Sequence, residues 1–167
     1  MTAINKTVTP AEGDIFITRI FDAPRQLVFN AWVDVEHLKN WYAPEGCSIN
    51  FEHINVKNGG TFHSVIRTPT GYVCWCTGTY MEVTPFERII FTMTNADEQG
   101  RPLTAEDAGK DPEWPVETIV TLTFEEIEAG KTKFTLHQTA SQEVAKRTGA
   151  YQGWEQMLDN LAVLVEQ

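Results

Sequence analysis

The sequence predicts an α+β domain: a curved antiparallel sheet wrapped around a long C-terminal helix, with two short helices after the first strand. Two patterns carry this prediction. Six strand-like segments follow one another between residues 47 and 139, separated by tight turns, and consecutive hairpins build an antiparallel sheet. The chain then closes with GAYQGWEQMLDNLAVLVEQ, where Tyr151, Trp154, Leu158, Leu161 and Val165 recur at spacings of three and four. That is one continuous apolar stripe, flanked by Met157 and Leu164. Such a helix needs a sheet to lie on, and the antiparallel one is the only sheet available.

The elements follow in order. DIFITRIF alternates like a strand. DAPRQLVFNAW starts a helix, with Pro24 in its first turn, Asp22 or Ala23 near the cap, and Leu27, Val28, Ala31 and Val35 on its apolar face. DVEHLKNWY is a second short helix, capped by Asp34, with Leu38 and Trp41 inward, and Pro44 and Gly46 end it. Strands are expected at Cys47–Val56, Gly60–Thr68, Tyr72–Val83, Ile89–Thr94, Glu117–Glu126 and Thr132–Thr139. The last helix begins near Ala150, or earlier if SQEVAKR joins it. Residues 1–13 read as a flexible N-terminal segment and 14–167 as a single domain. The long connection Asn95–Pro115, rich in Gly, Pro and charge, reads as a solvated hairpin extension.

One turn orients the middle of the sheet. In TPTG the ring of Pro69 forbids the positive φ that a two-residue hairpin loop needs at its first central position. A type I turn fits, with Gly71 in the left-handed region as a bulge. This pairs Thr68 with Tyr72, Ile66 with Cys74, Ser64 with Cys76, Phe62 with Gly78 and Gly60 with Tyr80. Phe62, Ile66, Cys74, Cys76 and Tyr80 then face inward, and Trp75 faces outward with Val65. A one-residue slip would reverse every one of these.

Composition narrows the function. Of 167 residues, 42% are apolar and 22% charged, an ordinary globular mix. A net charge of −10 argues against a nucleic-acid partner, which needs clustered Lys and Arg. No apolar run is long enough for membrane insertion. The N-terminus lacks the apolar core of a secretion signal, and three cysteines, an odd number, suit a reducing compartment, so a cytoplasmic location is expected.

The chemistry-bearing residues do not converge. Cys74 and Cys76 share a face, but zinc usually takes C-x2-C spacing with further ligands, and an extended i, i+2 separation of about 6.6 Å sits at the edge of disulfide geometry. The two thiols read as small buried hydrophobes. His37, His53, His63 and His137 are scattered, His137 is expected to point to solvent, and no nucleophile–base pattern or phosphate loop occurs. No catalytic residue, metal or cofactor is therefore assigned. Ser64, Tyr80, Thr118, Gln138 and Glu82 are the polar candidates for an inner face, with a bulge near Met81 as an alternative for Glu82. What remains is aromatic density, and a helix resting on a curved sheet leaves a space suited to a small molecule.

The segment ITRIFDAPRQLVFNAWVDVEHLKNWYAPEG resembles the opening of the activator of heat-shock protein 90 ATPase homologue family. Leu38, Trp41, Tyr42, Pro44 and Gly46 match its Leu-x-x-Trp-aromatic-x-Pro-x-Gly pattern. VKNGGTFHSVIRTPTG, GTYMEVTPFERIIFT and GWEQMLDNLAVLV are similar to its paired-glycine strand, its next strand pair and its last helix. The resemblance runs from about Asp14 to Val165. It implies the helix-grip fold of the START-like, or SRPBCC, superfamily, which holds ligand carriers, cyclases and co-chaperones.

The leading expectation is a small-molecule-binding protein holding an apolar or aromatic ligand between sheet and C-terminal helix. Its binding residues would be Trp41, Phe62, Ser64, Ile66, Cys74, Cys76, Tyr80, Phe91, Trp114, Tyr151, Trp154 and Leu158, with Trp114 closing over a mouth beside the Asn95–Pro115 loop. The alternatives are a cyclase- or hydrolase-type enzyme using the same cavity, and a chaperone-interacting module acting through a surface around Trp75. A homodimer and a chaperone contact stay open.

Overall fold

The computed structural model describes residues 11–167. The strands are β1 (Asp14–Phe21), β2 (Ser48–Ile54), β3 (Thr61–Arg67), β4 (Val73–Thr84), β5 (Arg88–Ala96), β6 (Glu117–Glu128) and β7 (Lys131–Ser141). The helices are α1 (Arg25–Val33), α2 (Val35–Trp41), α3 (Gln142–Thr148) and α4 (Ala150–Val165). All seven strands form one antiparallel sheet in the order β1-β7-β6-β5-β4-β3-β2. This is the helix-grip α+β fold. Residues 1–10 of the expected flexible segment lie outside the described residues. Residues 11–13 turn into β1, and Gly13 accepts a hydrogen bond from the Gln142 amide at 2.8 Å.

The predicted register of the central hairpin holds. Ile66 faces Cys74, Ser64 faces Cys76 and Phe62 faces Gly78. Gly71 sits at φ +92°, a conformation that costs a residue without a side chain nothing. The bulge near Met81 is present as a register shift between Tyr80 and Glu82. Glu82 accepts hydrogen bonds from Thr84 and Arg88, so its carboxylate is engaged there.

The helix starts differ from expectation in detail. Pro24 is the cap of α1, and no side chain caps that helix; Asp22 pairs instead with Lys131. The apolar face of α1 is Val28, Phe29, Ala31 and Trp32, and Leu27 is 44% exposed. The helix is rotated from the predicted face because Phe29 and Trp32 fill the aromatic core. Phe29 packs edge-on against Phe124 at 5.3 Å, and Trp32 stacks on Phe134 at 5.7 Å. Asp34 caps α2 as predicted, accepting from the Glu36 amide. The stretch QEVAKRT forms α3, capped by Ser141 and separated from α4 by Gly149 at φ +95°. On α4, Trp154, Met157, Leu158, Leu161 and Val165 are buried.

His137 does not point to solvent. It lies on the outer face of β7, 3% exposed, with Nε2 2.8 Å from Asp14 Oδ2. The turn before β1 brings the Asp14 carboxylate over the ring. The Asn95–Pro115 connection is more than a solvated extension. Ala105 is buried in it, the Leu103 amide donates to the Asn95 carbonyl at 2.8 Å, and Ala96 bridges to Pro102.

Candidate binding cavity

The apolar core is thickest under α1 and α2. Towards the other end of α4, sheet and helix separate and leave a cavity of about 230 Å³, open at one side.

The sheet wall is built by alternation. Phe62, Ser64 and Ile66 from β3, Cys74 and Cys76 from β4, Met93 and Asn95 from β5, Thr118 from β6 and Gln138 from β7 line it, together with Thr94. The helix wall is Trp154 and Met157, with Gly149, Ala150 and Gly153 at the mouth. These small residues leave α4 thin at its start, and a Cβ on Gly153 would stand 3.7 Å from Pro44. Lys110 and Trp114, from the long connection, line the cavity opposite. That connection is tied to α3 by Arg147, whose Nη2 is 2.9 Å from Asp111 and 3.6 Å from Glu113.

Seven of the twelve sequence-predicted residues line this cavity: Phe62, Ser64, Ile66, Cys74, Cys76, Trp114 and Trp154. The other five are placed elsewhere. The Trp41 indole donates to the Ala31 carbonyl at 2.9 Å and packs against Trp32 at 4.6 Å, which holds it in the core between α1 and α2. Tyr80 and Phe91 border a separate void of about 20 Å³, room for one water at most. Tyr151 lies under the Lys146 ammonium at 4.8 Å. Leu158 is fully buried in the core.

Several lining residues were missed by sequence reasoning. Tyr42 takes the place expected of Trp41, because it leaves α2 as its C-cap at φ −87°, ψ 56°. Its aromatic-Pro context, WYAP, was the available signal. The spacing of Gly149, Ala150 and Gly153 was the signal for a thin helix start. Thr118 and Gln138 were named only as polar candidates, and here they form a buried chain. The Trp154 indole donates to Gln138 Oε1 at 2.8 Å, and Gln138 Nε2 donates to Thr118 Oγ1 at 2.9 Å.

Cys74 and Cys76 are half-buried, not sealed in the core as expected, because they face the cavity. Burial pushes the Cys76 thiol up to about 12, against a weaker opposing pull from the Lys110 charge. Burial likewise raises the phenols of Tyr42 and Tyr80. For Cys76 the folded-state value lies above the unfolded one. Its contribution to stability is therefore intact below about pH 8.5, the free thiol range, and is lost as pH rises towards 12. Native Cys76 should react slowly with iodoacetamide at pH 8, because the thiolate is the nucleophile. Mass mapping of the labelled cysteine checks this, and rapid native labelling of Cys76 would contradict it.

The family model of the Activator of Hsp90 ATPase homolog 1-like proteins matches residues 22–166. The chain belongs to that family. Solved structures agree with this Activator of Hsp90 ATPase homolog 1-like assignment. A Chromobacterium violaceum protein superposes with a TM-score of 0.76 at 25% identity, over 94% of this chain and 99% of its own. A Staphylococcus epidermidis protein gives 0.74 at 26% identity, over 97% and 94%. The AHSA1 protein from Silicibacter pomeroyi gives 0.72 at 21% identity, over 92% and 97%, and is similar in fold. No curated protein matches the chain. Membership fits a ligand-binding or Hsp90 ATPase activator-like module. No described helix is long and apolar enough to cross a membrane.

Proposed function

We propose that this family member is a binding protein that holds a small apolar or aromatic molecule in the cavity between sheet and α4, with no covalent chemistry. The observation that carries the reading is the cavity itself. A core of this size normally closes on itself, yet here about 230 Å³ stays open. The walls are mainly apolar, with a few fixed polar groups to orient an occupant, as small-molecule sites are built.

Two further observations support binding over the alternatives. Among the described residues no histidine and no carboxylate lines the cavity, and burial holds the Tyr42 phenol and the Cys76 thiol in their protonated forms, which disfavours general-base chemistry there. On the outer face Trp75 is half-buried against His63, with ring centroids 5.0 Å apart. His63 in turn donates from Nε2 to the Asp97 carbonyl at 3.2 Å. The long connection thus covers part of the surface that a chaperone-interacting module would need around Trp75.

A thermal-shift screen of apolar and aromatic compounds tests the reading. A ligand present at 100 times its Kd stabilises by about 2.7 kcal/mol, which for a domain of this size raises Tm by roughly 5–10 °C. Ile66→Trp, which drives an indole into the cavity from a half-buried position, should abolish the shift while leaving the unliganded Tm within a few degrees. A panel without any shift, or one whose shifts survive Ile66→Trp, would falsify the proposal.

A further inference from the structure

We infer that the ligand is an apolar acid, seated with its hydrocarbon or ring against the aromatic wall and its carboxylate at Lys110. This rests on the binding reading above and deepens it.

The buried chain has a fixed polarity. An indole nitrogen can only donate, so the Trp154 contact fixes Gln138 Oε1 as its acceptor. The Gln138 amide nitrogen then has to point the other way, and both its hydrogens are used. One goes to Thr118 Oγ1 at 2.9 Å and one to Met93 Sδ at 3.8 Å. Thr118 accepts in that bond, which leaves its own hydroxyl proton free beside the cavity. Thr118 is only 2% exposed, so water reaches that hydroxyl poorly. The floor of the cavity therefore offers a donor.

Two further lining groups, Asn95 and Lys110, offer the same sign. Asn95 stands in the inner row Ser64–Cys76–Asn95. It is 6% exposed, and its amide nitrogen has no hydrogen-bond partner. Such an orphaned donor is costly unless something accepts from it. Lys110 lines the cavity half-buried. Among the described residues no ion pair includes it, and the neighbouring Asp111 and Glu113 are committed to Arg147. Its charge is felt at the cavity wall, where it opposes the rise of the Cys76 thiol. In a chain of net charge −10, a half-buried cation without a counter-ion stands out. A row of donors ending in a cation calls for an occupant with acceptor oxygens and a negative end, because a buried charge is tolerated when paired.

The probes are 4-phenylbutyrate and 4-phenylbutan-1-ol, which share the same ring and chain and differ in the charged end. Isothermal titration calorimetry on the full chain should show the acid binding about tenfold tighter, the difference between a charge-assisted and a neutral hydrogen bond. Lys110→Met should remove that preference by weakening the acid about tenfold, and an unliganded Tm within a few degrees of the natural chain's shows that the variant is folded. Lys110→Arg should retain the preference. Equal affinities in the natural chain, or a preference that survives Lys110→Met, overturn the acid inference; alcohol binding in the same titrations leaves the cavity reading intact. If neither probe binds and the broad apolar panel also gives no shift, the cavity reading fails as well.

Discussion

Gly78→Ala is expected to destabilise the protein by about 3 kcal/mol or more, the upper end of what overpacking costs. An added Cβ would lie 1.9 Å from the Thr92 carbonyl oxygen and 2.4 Å from Cε2 of Phe62. The carbonyl belongs to the neighbouring strand, so the clash cannot be relieved by rotating a side chain. Shrinking Phe62 to Leu in the same chain should therefore give little rescue. The Phe62 ring already fills the space opposite Gly78. For a domain of this length the loss corresponds to a Tm drop of roughly 6–12 °C. Gly153→Ala is the contrasting case. Its Cβ would meet Pro44 at an ordinary 3.7 Å, and Ala in a helix is favoured over Gly by up to about 1 kcal/mol. Urea unfolding of both variants gives the comparison. A Gly78→Ala protein within about 0.5 kcal/mol of the natural chain would show that the sheet yields there more than its geometry suggests.

Trp154→Ala should cost about 3–5 kcal/mol, as expected when a buried aromatic is truncated. The more informative variant is Trp154→Phe. It keeps most of the apolar surface and removes the indole N–H, which leaves Gln138 Oε1 without a partner at a cost of about 1–3 kcal/mol. Gln138→Met should also destabilise alone, since it orphans the indole. The double variant should cost clearly less than the sum of the two, because replacing both partners of a buried hydrogen bond by apolar groups is close to neutral. Strictly additive losses across this double-mutant cycle would mean that the 2.8 Å contact carries no coupling.

How much of this was legible beforehand can be argued from particular residues. The sheet register followed from Pro69 and Gly71, because backbone geometry restricts that turn whatever surrounds it. The stripe on α4 was equally local. What failed depended on neighbours distant in sequence. The face of α1 could not be read from its own spacing, since Phe29 and Trp32 turn inward to meet Phe124 and Phe134, about a hundred residues later. Trp41 and Tyr42 are adjacent and both aromatic, and only the end of α2 decides which one looks into the cavity. His137 sits at an alternating position that reads as exposed, but the carboxylate of Asp14 covers it. The cavity's aromatic and thiol lining was legible because alternation along β3 and β4 fixed it. Its mouth was legible only through Trp114; Lys110 lies in a stretch without periodicity and was not named.

The separation between the packed aromatic end and the open end has a consequence for how such a chain can change over generations. Trp32, Trp41, Phe124 and Phe134 hold α1 and α2 against the sheet, and substitutions there are paid for in folding. Ile66, Cys74, Met93 and Lys110 border a void, where exchanging one side chain for another reshapes empty space at little cost to the scaffold. Relatives sharing about a quarter of their residues keep this backbone, and a shared backbone does not fix what a cavity on it holds. On the proposed binding role, selectivity is free to drift while the fold that carries it stays fixed.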